Sequence, residues 1–257
     1  MFKTGVDHMS ERKLVIPGDP LGEGRAGHGA YEEDGKVFAG CIGLAEDKGG
    51  MFFVIPLSGI YNPKRGDGVI GKVTDVSFSK WFVDINSPYE AVLGLADATD
   101  EFIDLTKTDM TKYFNFNDMI FAEITAVSNT KNINLSMRNR KCRKLRGGRL
   151  IHVTPAKVPR IIGKAGSMVE MIKNMTNTQI VVGQNGIVWV KGDHEDIAMD
   201  VITTIERKSH VQGLTDQIKA MLEEKMKDFP KPVKRVVDEE EHSHSERDEH
   251  NPYGEGF

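Results

Sequence analysis

The sequence predicts a multidomain chain, all-β followed by α+β: a small N-terminal β domain, a five-stranded barrel, a unit of order βααββα and an acidic tail. Three observations carry this expectation. Strand-like apolar runs punctuated by Gly and Pro fill residues 11–60 and then 66–138. Sustained helical periodicity enters only after residue 155, framed by further strand-like runs. From Phe229 onward apolar residues become sparse and acids accumulate. The boundaries expected are 1–62, 63–140, 141–228 and 229–257.

In the first unit the strand candidates are KLVIP, KVFAGCI and MFFVIP. Gly22-Glu23-Gly24-Arg25-Ala26-Gly27 fits the dinucleotide fingerprint G-x-G-x-x-G letter for letter. That motif works only where it leaves a strand and opens a helix, whose N-terminus holds the pyrophosphate. Here HGAYEEDGK follows, without helical periodicity, so a partner-contacting loop is expected instead. The second unit offers DGVIGKVTDVS, WFVDIN, EAVLGL, DMIFAEITAV and NINLSM, with a polar, partly helical insertion after the third. Five strands with that insertion describe an OB barrel. Gly71 and Gly94 are expected where tightly curved strands leave no room for a side chain. Barrels of this class bind single strands by stacking bases on surface aromatics beside cations. The candidates are Trp81, Phe82 and Phe78, with Lys72, Lys80 and Lys131 nearby in sequence. Alternation puts Trp81 and Phe82 on opposite faces, and the expectation is Trp81 outside and Phe82 in the core.

Charge is distributed unevenly. The tail from Phe229 holds four basic and eight acidic residues, which accounts for the whole formal charge of -4. Lys131 to Lys173 holds twelve Lys/Arg against one acid, Glu170, a net of +11. A local block of that sign suits a polyanion, with nucleic acid the first candidate. Its centre, MRNRKCRKLRGGRL, is broken by Cys142 and Gly147-Gly148. It reads as a linker or strand lead-in that lays Arg138, Arg140 and Arg143 along phosphates.

The third unit begins with the strand RLIHVT and a short helix limited by Pro159. Gly163-Lys164-Ala165-Gly166 separates it from the helix SMVEMIKNMT, for which Ser167 and Glu170 form a candidate capping box. QIVVG and IVWVKG are strands, joined through Gly183, Asn185 and Gly186 in a turn expected to need positive φ at both Asn and Gly. DHEDIAMDVITTIERK closes the unit as an amphipathic helix with Asp193 as candidate cap. Residues 214–228 read as a terminal helix. Strand, helix, GxxG, helix, strand, strand, helix resembles a KH domain. In such a loop, glycines let a nucleic-acid strand approach the backbone, and the start of the second helix favours phosphate. Lys164 adds a charge, and Arg160 lies one turn earlier.

The order of modules resembles one family, the archaeal exosome cap subunits of ribosomal-RNA-processing type four. GVIGKVTDV, WFVDI, VLGLADA and INLSMR fall where an S1-type barrel has them. VIPGDPLGEG and YEEDGKVFAGCIGLAE fit the family's ring-contacting domain, and GQNG fits its GxNG turn. The resemblance spans roughly residues 10–225. It implies a non-catalytic subunit that caps a hexameric ring of RNase PH-type nuclease subunits, three copies per ring, and feeds single-stranded RNA 3′ ends into the pore. Asp97 stands where barrels of this type often carry a histidine. The alternative is a free-standing RNA-binding regulator of transcription or translation.

An intrinsic enzyme is not expected, because no Walker loop, GxSxG, HExxH or supported Cys/His pair occurs. No cofactor and no metal site is expected, and His242, His244 and His250 in the tail read as surface residues. No run of about 18 apolar residues predicts a membrane span. Two distant cysteines and no signal-peptide core point to a cytoplasmic setting.

Overall fold

The computed structural model describes residues 13–99, 110–209 and 213–227. The expected acidic tail therefore lies outside the described residues, as do residues 100–109 of the barrel's insertion. The N-terminal unit contains β1 (Lys13–Val15), β2 (Pro20–Gly22), β3 (Arg25–Ala26), β4 (Ala30–Glu33), β5 (Lys36–Ala39), β6 (Gly43–Asp47) and β7 (Met51–Pro56). They form two small sheets, ordered β1-β6-β7-β3 and β2-β5-β4. Val15, Ala39 and Val54 make its core. The G-x-G-x-x-G stretch runs from β2 into β3 and on to β4, so it opens no helix. Its glycines serve close packing: a Cβ at Gly24 would lie 2.3 Å from the Gly50 carbonyl oxygen.

The barrel is built from β8 (Gly68–Val76), β9 (Lys80–Asp84), β10 (Ala91–Gly94), β11 (Met119–Val127) and β12 (Ile133–Ser136). Strand order β12-β10-β9-β8-β11 is closed by antiparallel pairing of β11 with β12. A one-turn helix, α1 (Leu95–Ala98), follows β10. β13 (Arg143–Leu145) adds a sixth strand on the outer edge of β11, so part of the basic bridge is sheet rather than linker. The sequence hid it because three residues with two cations carry no apolar pattern.

Alternation sends Val69, Val73, Trp81, Val83, Ile120, Ala122 and Ile124 inward. Trp81 is therefore core, contrary to the sequence expectation. It is 0% exposed, donates its indole N–H to the Phe114 carbonyl at 2.9 Å, and packs edge-on against the Phe114 ring. Phe82 takes the outer face in its place. Gly71 does sit at a close approach, where a Cβ would meet the Val83 side chain at 2.3 Å. Gly94 does not; its Cβ would meet only the Asp97 carboxylate, at 3.9 Å.

The third unit has β14 (Arg149–His152), α2 (Val158–Ile162), α3 (Ser167–Thr176), β15 (Thr178–Val182), β16 (Ile187–Gly192), α4 (Glu195–Arg207) and α5 (Leu214–Lys225). The antiparallel sheet is ordered β14-β16-β15, and the helices cover one face. Ile161, Ile172, Val188, Val190, Ile202 and Ile205 lie in its core, and α5 adds Ile218 and Leu222. Neither predicted helix cap forms. Ser167 already has helical φ and ψ, and Gly166 is the N-cap of α3. His194 precedes α4, while Asp193 accepts from the Asn177 side chain instead.

The hairpin between β15 and β16 docks the unit onto the barrel. Only Gly186 has positive φ, at 82°, and its N–H donates to the Gly183 carbonyl. The turn is thus an ordinary one closed by a left-handed glycine. Asn185 is free to use its side chain elsewhere, and it is 0% exposed. Its amide NH2 donates to the carbonyls of Ile70 and Ile85 at 2.7 and 2.8 Å, and its oxygen accepts from the Ile70 N–H at 3.3 Å. Asn86 and Gln184 add further hydrogen bonds between the same segments. Beside them, Ile70 and Leu145 on the barrel meet Ile187 and Trp189 in a shared apolar cluster.

Replacing Asn185 with Ala strands three buried backbone groups, which should cost about 3 kcal/mol. Urea unfolding followed by single-tryptophan fluorescence checks this, since Trp81 reports the barrel core and Trp189 the junction. The wild type should show coincident transitions, and Asn185→Ala should move the Trp189 transition to lower urea than that of Trp81.

Candidate nucleic-acid interface

Pro159 at the start of α2 fixes a helical φ where no donor is needed. The helix runs only to Ile162 because Gly163 leaves helical space, with φ 75° and ψ 177°. That conformation is open essentially to glycine alone. A Cβ at Gly163 would also stand 2.8 Å from the Met168 backbone nitrogen. Lys164–Gly166 then makes a single tight turn, with Ala165 (φ 51°, ψ 28°) and Gly166 (φ 84°, ψ 0°) both left-handed. Lys164, Ala165 and Ser167 are exposed. No side chain caps α3; the Gly166 and Ser167 N–H groups donate to the Gly163 and Lys164 carbonyls, and the positive dipole end of the helix lies at the loop. Arg160 is exposed on the helix that leads in. This is a backbone-lined anion cradle with cations beside it.

A second group lies at the seam between the units. Arg143 on β13 is close enough to Lys173 on α3 to disfavour its charge. The Lys173 ammonium is held below its ordinary pKa, first by burial and also by Arg143, with Glu170 opposing. Lys173 was not singled out in the sequence, although it closes the basic block. Arg140 and Lys141 are exposed on the same bridge. Arg138 is occupied differently: its guanidinium donates to the Ala96 carbonyl at 2.8 and 3.3 Å and stands 3.8 Å from the Asp97 carboxylate. Lys144 pairs with Asp118, and Arg149 with Asp196. The net charge of the block therefore overstates the cations that it offers outward.

The third group is on the barrel. Lys80, Phe82 and Asp84 alternate onto its outer face, and the Lys80 Nζ lies 4.9 Å from the centre of the Phe82 ring. Lys72 is on the same side, opposite Asp84. Phe78, in the turn before β9, is 70% exposed. An outward stacking surface thus exists, but its aromatics are Phe78 and Phe82. Lys131 lies apart from them, its Nζ 5.9 Å from the Tyr89 ring. Gly183, Asn185 and Gly186 belong to the docking turn described above. Among the described residues no cluster of three or more His, Cys, Asp or Glu side chains is placed to hold a metal, and no helix is long and apolar enough to cross a membrane.

Comparison with known proteins gives three adjacent matches. Residues 12–58 match the family model for the exosome RNA binding protein RRP4 N-terminal domain, 60–126 that for the RRP4 S1 domain, and 148–196 that for a KH domain. The exosome complex component Rrp4 of Pyrococcus abyssi is 43% identical over 90% of this chain and 89% of its own length. That of Thermococcus kodakarensis is 45% identical over 85% and 88%. A crystal structure provisionally described as an exosome complex RNA-binding protein superposes with a TM-score of 0.59 at 34% identity, covering 66% of this chain and 98% of its own.

The two loop glycines should respond differently to substitution. Gly163→Ala meets backbone in a glycine-only conformation and should lower stability by about 2–3 kcal/mol. Gly166→Ala meets nothing within 4 Å and bears only the left-handed penalty, about 1 kcal/mol. Thermal melts of the two variants check the ranking.

Proposed function

The chain belongs to the Rrp4 family of exosome RNA-binding components, and on that premise we propose that it is a non-catalytic cap on a hexameric ring of RNase PH-type 3′–5′ nuclease subunits. Three copies sit on one ring, bind single-stranded RNA and guide its 3′ end into the pore. One observation carries the RNA-binding part: the exposed, uncapped backbone cradle at Gly163–Gly166. Phosphate bound there accepts from main-chain N–H groups at a helix start, while Lys164 supplies a mobile positive charge. Arg160 and the seam cations Arg143 and Lys173 extend the path toward the barrel, where Phe82 and Phe78 offer stacking surface.

The N-terminal unit supplies the ring contact in this reading. Its sheet β1-β6-β7 carries a cross-strand apolar row, Leu14 opposite Leu44 opposite Ile55. Leu14 is 60% exposed and Ile55 36%, with Ile42 nearby at 49%. A small sheet facing water with such a row gains by burying it against a partner.

Replacing Lys164 and Ala165 with Asp should weaken binding of an oligouridylate at least tenfold and flatten the salt dependence, since each lost phosphate contact lowers the slope by about 0.7. Stability should hold, because both side chains are exposed and Asp tolerates the left-handed conformation at 165. Fluorescence anisotropy across a salt series checks this, and unchanged affinity would move the grip to the seam and barrel. Leu14→Lys with Ile55→Lys should abolish co-purification of phosphate-dependent ribonuclease subunits from lysate and leave oligouridylate affinity within about twofold.

A further inference from the structure

The seam that Asn185 holds together carries a half-open cavity of about 230 Å³, bordered on one side by the basic bridge described above. The barrel contributes Gly68, Phe121 and Glu123, the basic bridge Cys142, and the end of β15 and its turn Val182 and Gln184. The volume is below the roughly 300–1,000 Å³ of drug-sized ligand sites, so it suits one flat ring system. Phe121 and Val182 give apolar walls. The polar end is a carboxylate, which is unexpected within a block of cations.

That carboxylate is set in place. Asn139 donates its side-chain N–H to Glu123 Oε2 at 2.8 Å, and the Asn139 side-chain Oδ1 accepts from the Lys141 backbone N–H at 3.1 Å. Both ends of the Asn139 amide are used, so it is a positioning residue. A carboxylate accepts at about four lone-pair sites, and Asn139 takes one. The others are open to N–H donors. Exposed Lys141, which lines the cavity, favours the phosphates that flank an inserted base.

We propose that this cavity takes a single unstacked nucleobase of bound RNA, guanine in preference to the others, with Glu123 accepting from its Watson–Crick edge. The chemistry selects guanine because only its edge presents two adjacent donors, N1–H and N2–H. Adenine and cytosine place a ring acceptor beside their one amine, and uracil flanks its N–H with carbonyls, so each sets a lone pair against the carboxylate. Sequence-specific RNA recognition commonly uses splayed bases read on this edge. The inference rests on the RNA-binding reading above and adds a base preference to it.

Cys142 lines the cavity and provides the probe. Burial, with the Glu123 charge second, pushes its thiol above the ordinary value, so labelling is done at pH 8.5. Cys41, the other cysteine, lies in the N-terminal unit and is changed to Ser in the full-length chain. The ligands are uridine decamers carrying a central G, A, C or U. Anisotropy first measures the affinity of each, then maleimide labelling of Cys142 is timed with the protein saturated. The G decamer should bind roughly tenfold more tightly than all-U, the size of one good base-edge contact. It should slow labelling several-fold, where all-U does so weakly. Glu123→Gln should bring the G-to-U affinity ratio to about one. If no decamer binds, the RNA-binding reading itself fails. Binding that leaves Cys142 unprotected, protection that is equal for all four bases, or a guanine preference that survives Glu123→Gln overturns the cavity proposal alone.

Discussion

A single buried amide holds the molecule's two nucleic-acid-binding modules in register. Asn185 reaches out of a hairpin turn to groups 115 and 100 residues earlier, at Ile70 and Ile85, and uses both of its polar atoms on them. A buried amide is stabilising only when it is satisfied, because an unpaired one bears its full desolvation penalty. The contact is therefore specific in a way that the neighbouring Ile70–Ile187–Trp189 cluster is not. Apolar surfaces tolerate sliding by an ångström. Three hydrogen bonds to fixed backbone atoms do not.

Much follows from that register. With β13 paired on the barrel edge, it brings Arg143 up to Lys173 on α3. Burial is the main reason that the Lys173 ammonium is disfavoured, and Glu170 opposes the smaller effect of Arg143. Without the docking, loop and barrel would be separate weak sites on a tether. With it, the loop and the barrel are held on one body, as the proposed RNA path requires.

The same surface shows how misleading a charge count is. Lys144, Arg149 and Arg138 are taken up by Asp118, Asp196 and the Ala96 carbonyl, and hold the bridge in place. They are structural cations. The outward ones, Lys164, Arg140, Lys141 and Arg143, are set among backbone N–H groups, half-buried aromatics and one anchored carboxylate. That combination distinguishes a recognition surface from a uniformly basic one, which would hold any polyanion alike.

Local patterns along the chain are enough for the element order of the barrel and the third unit, apart from α1 and β13, but in the N-terminal unit they mark only β1, β5 and β7 of its seven strands. Apolar runs of period two, the helical stretch after residue 155 and the turn glycines are local signals, and they placed most strands and helices within a residue or two. The GxxG loop was legible for the same reason, since two glycines flanking exposed Lys164 and Ala165 are explained by backbone geometry at those positions alone. What the sequence left open depended on which side of each element the rest of the chain would cover. Alternation fixed Trp81 and Phe82 on opposite faces but not which was inside; Phe114, more than thirty residues on, decided that by accepting the indole N–H. Capping at Ser167 looked satisfied by spacing, yet the left-handed Gly166 had already taken the cap position. Asn185 read as a turn former, and only its distant partners make it a clamp. Glu123 read as one polar residue in a strand, and only the bridge folding back onto the barrel gives it a cavity to face. Each of these was decided by contacts between segments far apart in sequence, where the local pattern carries no information.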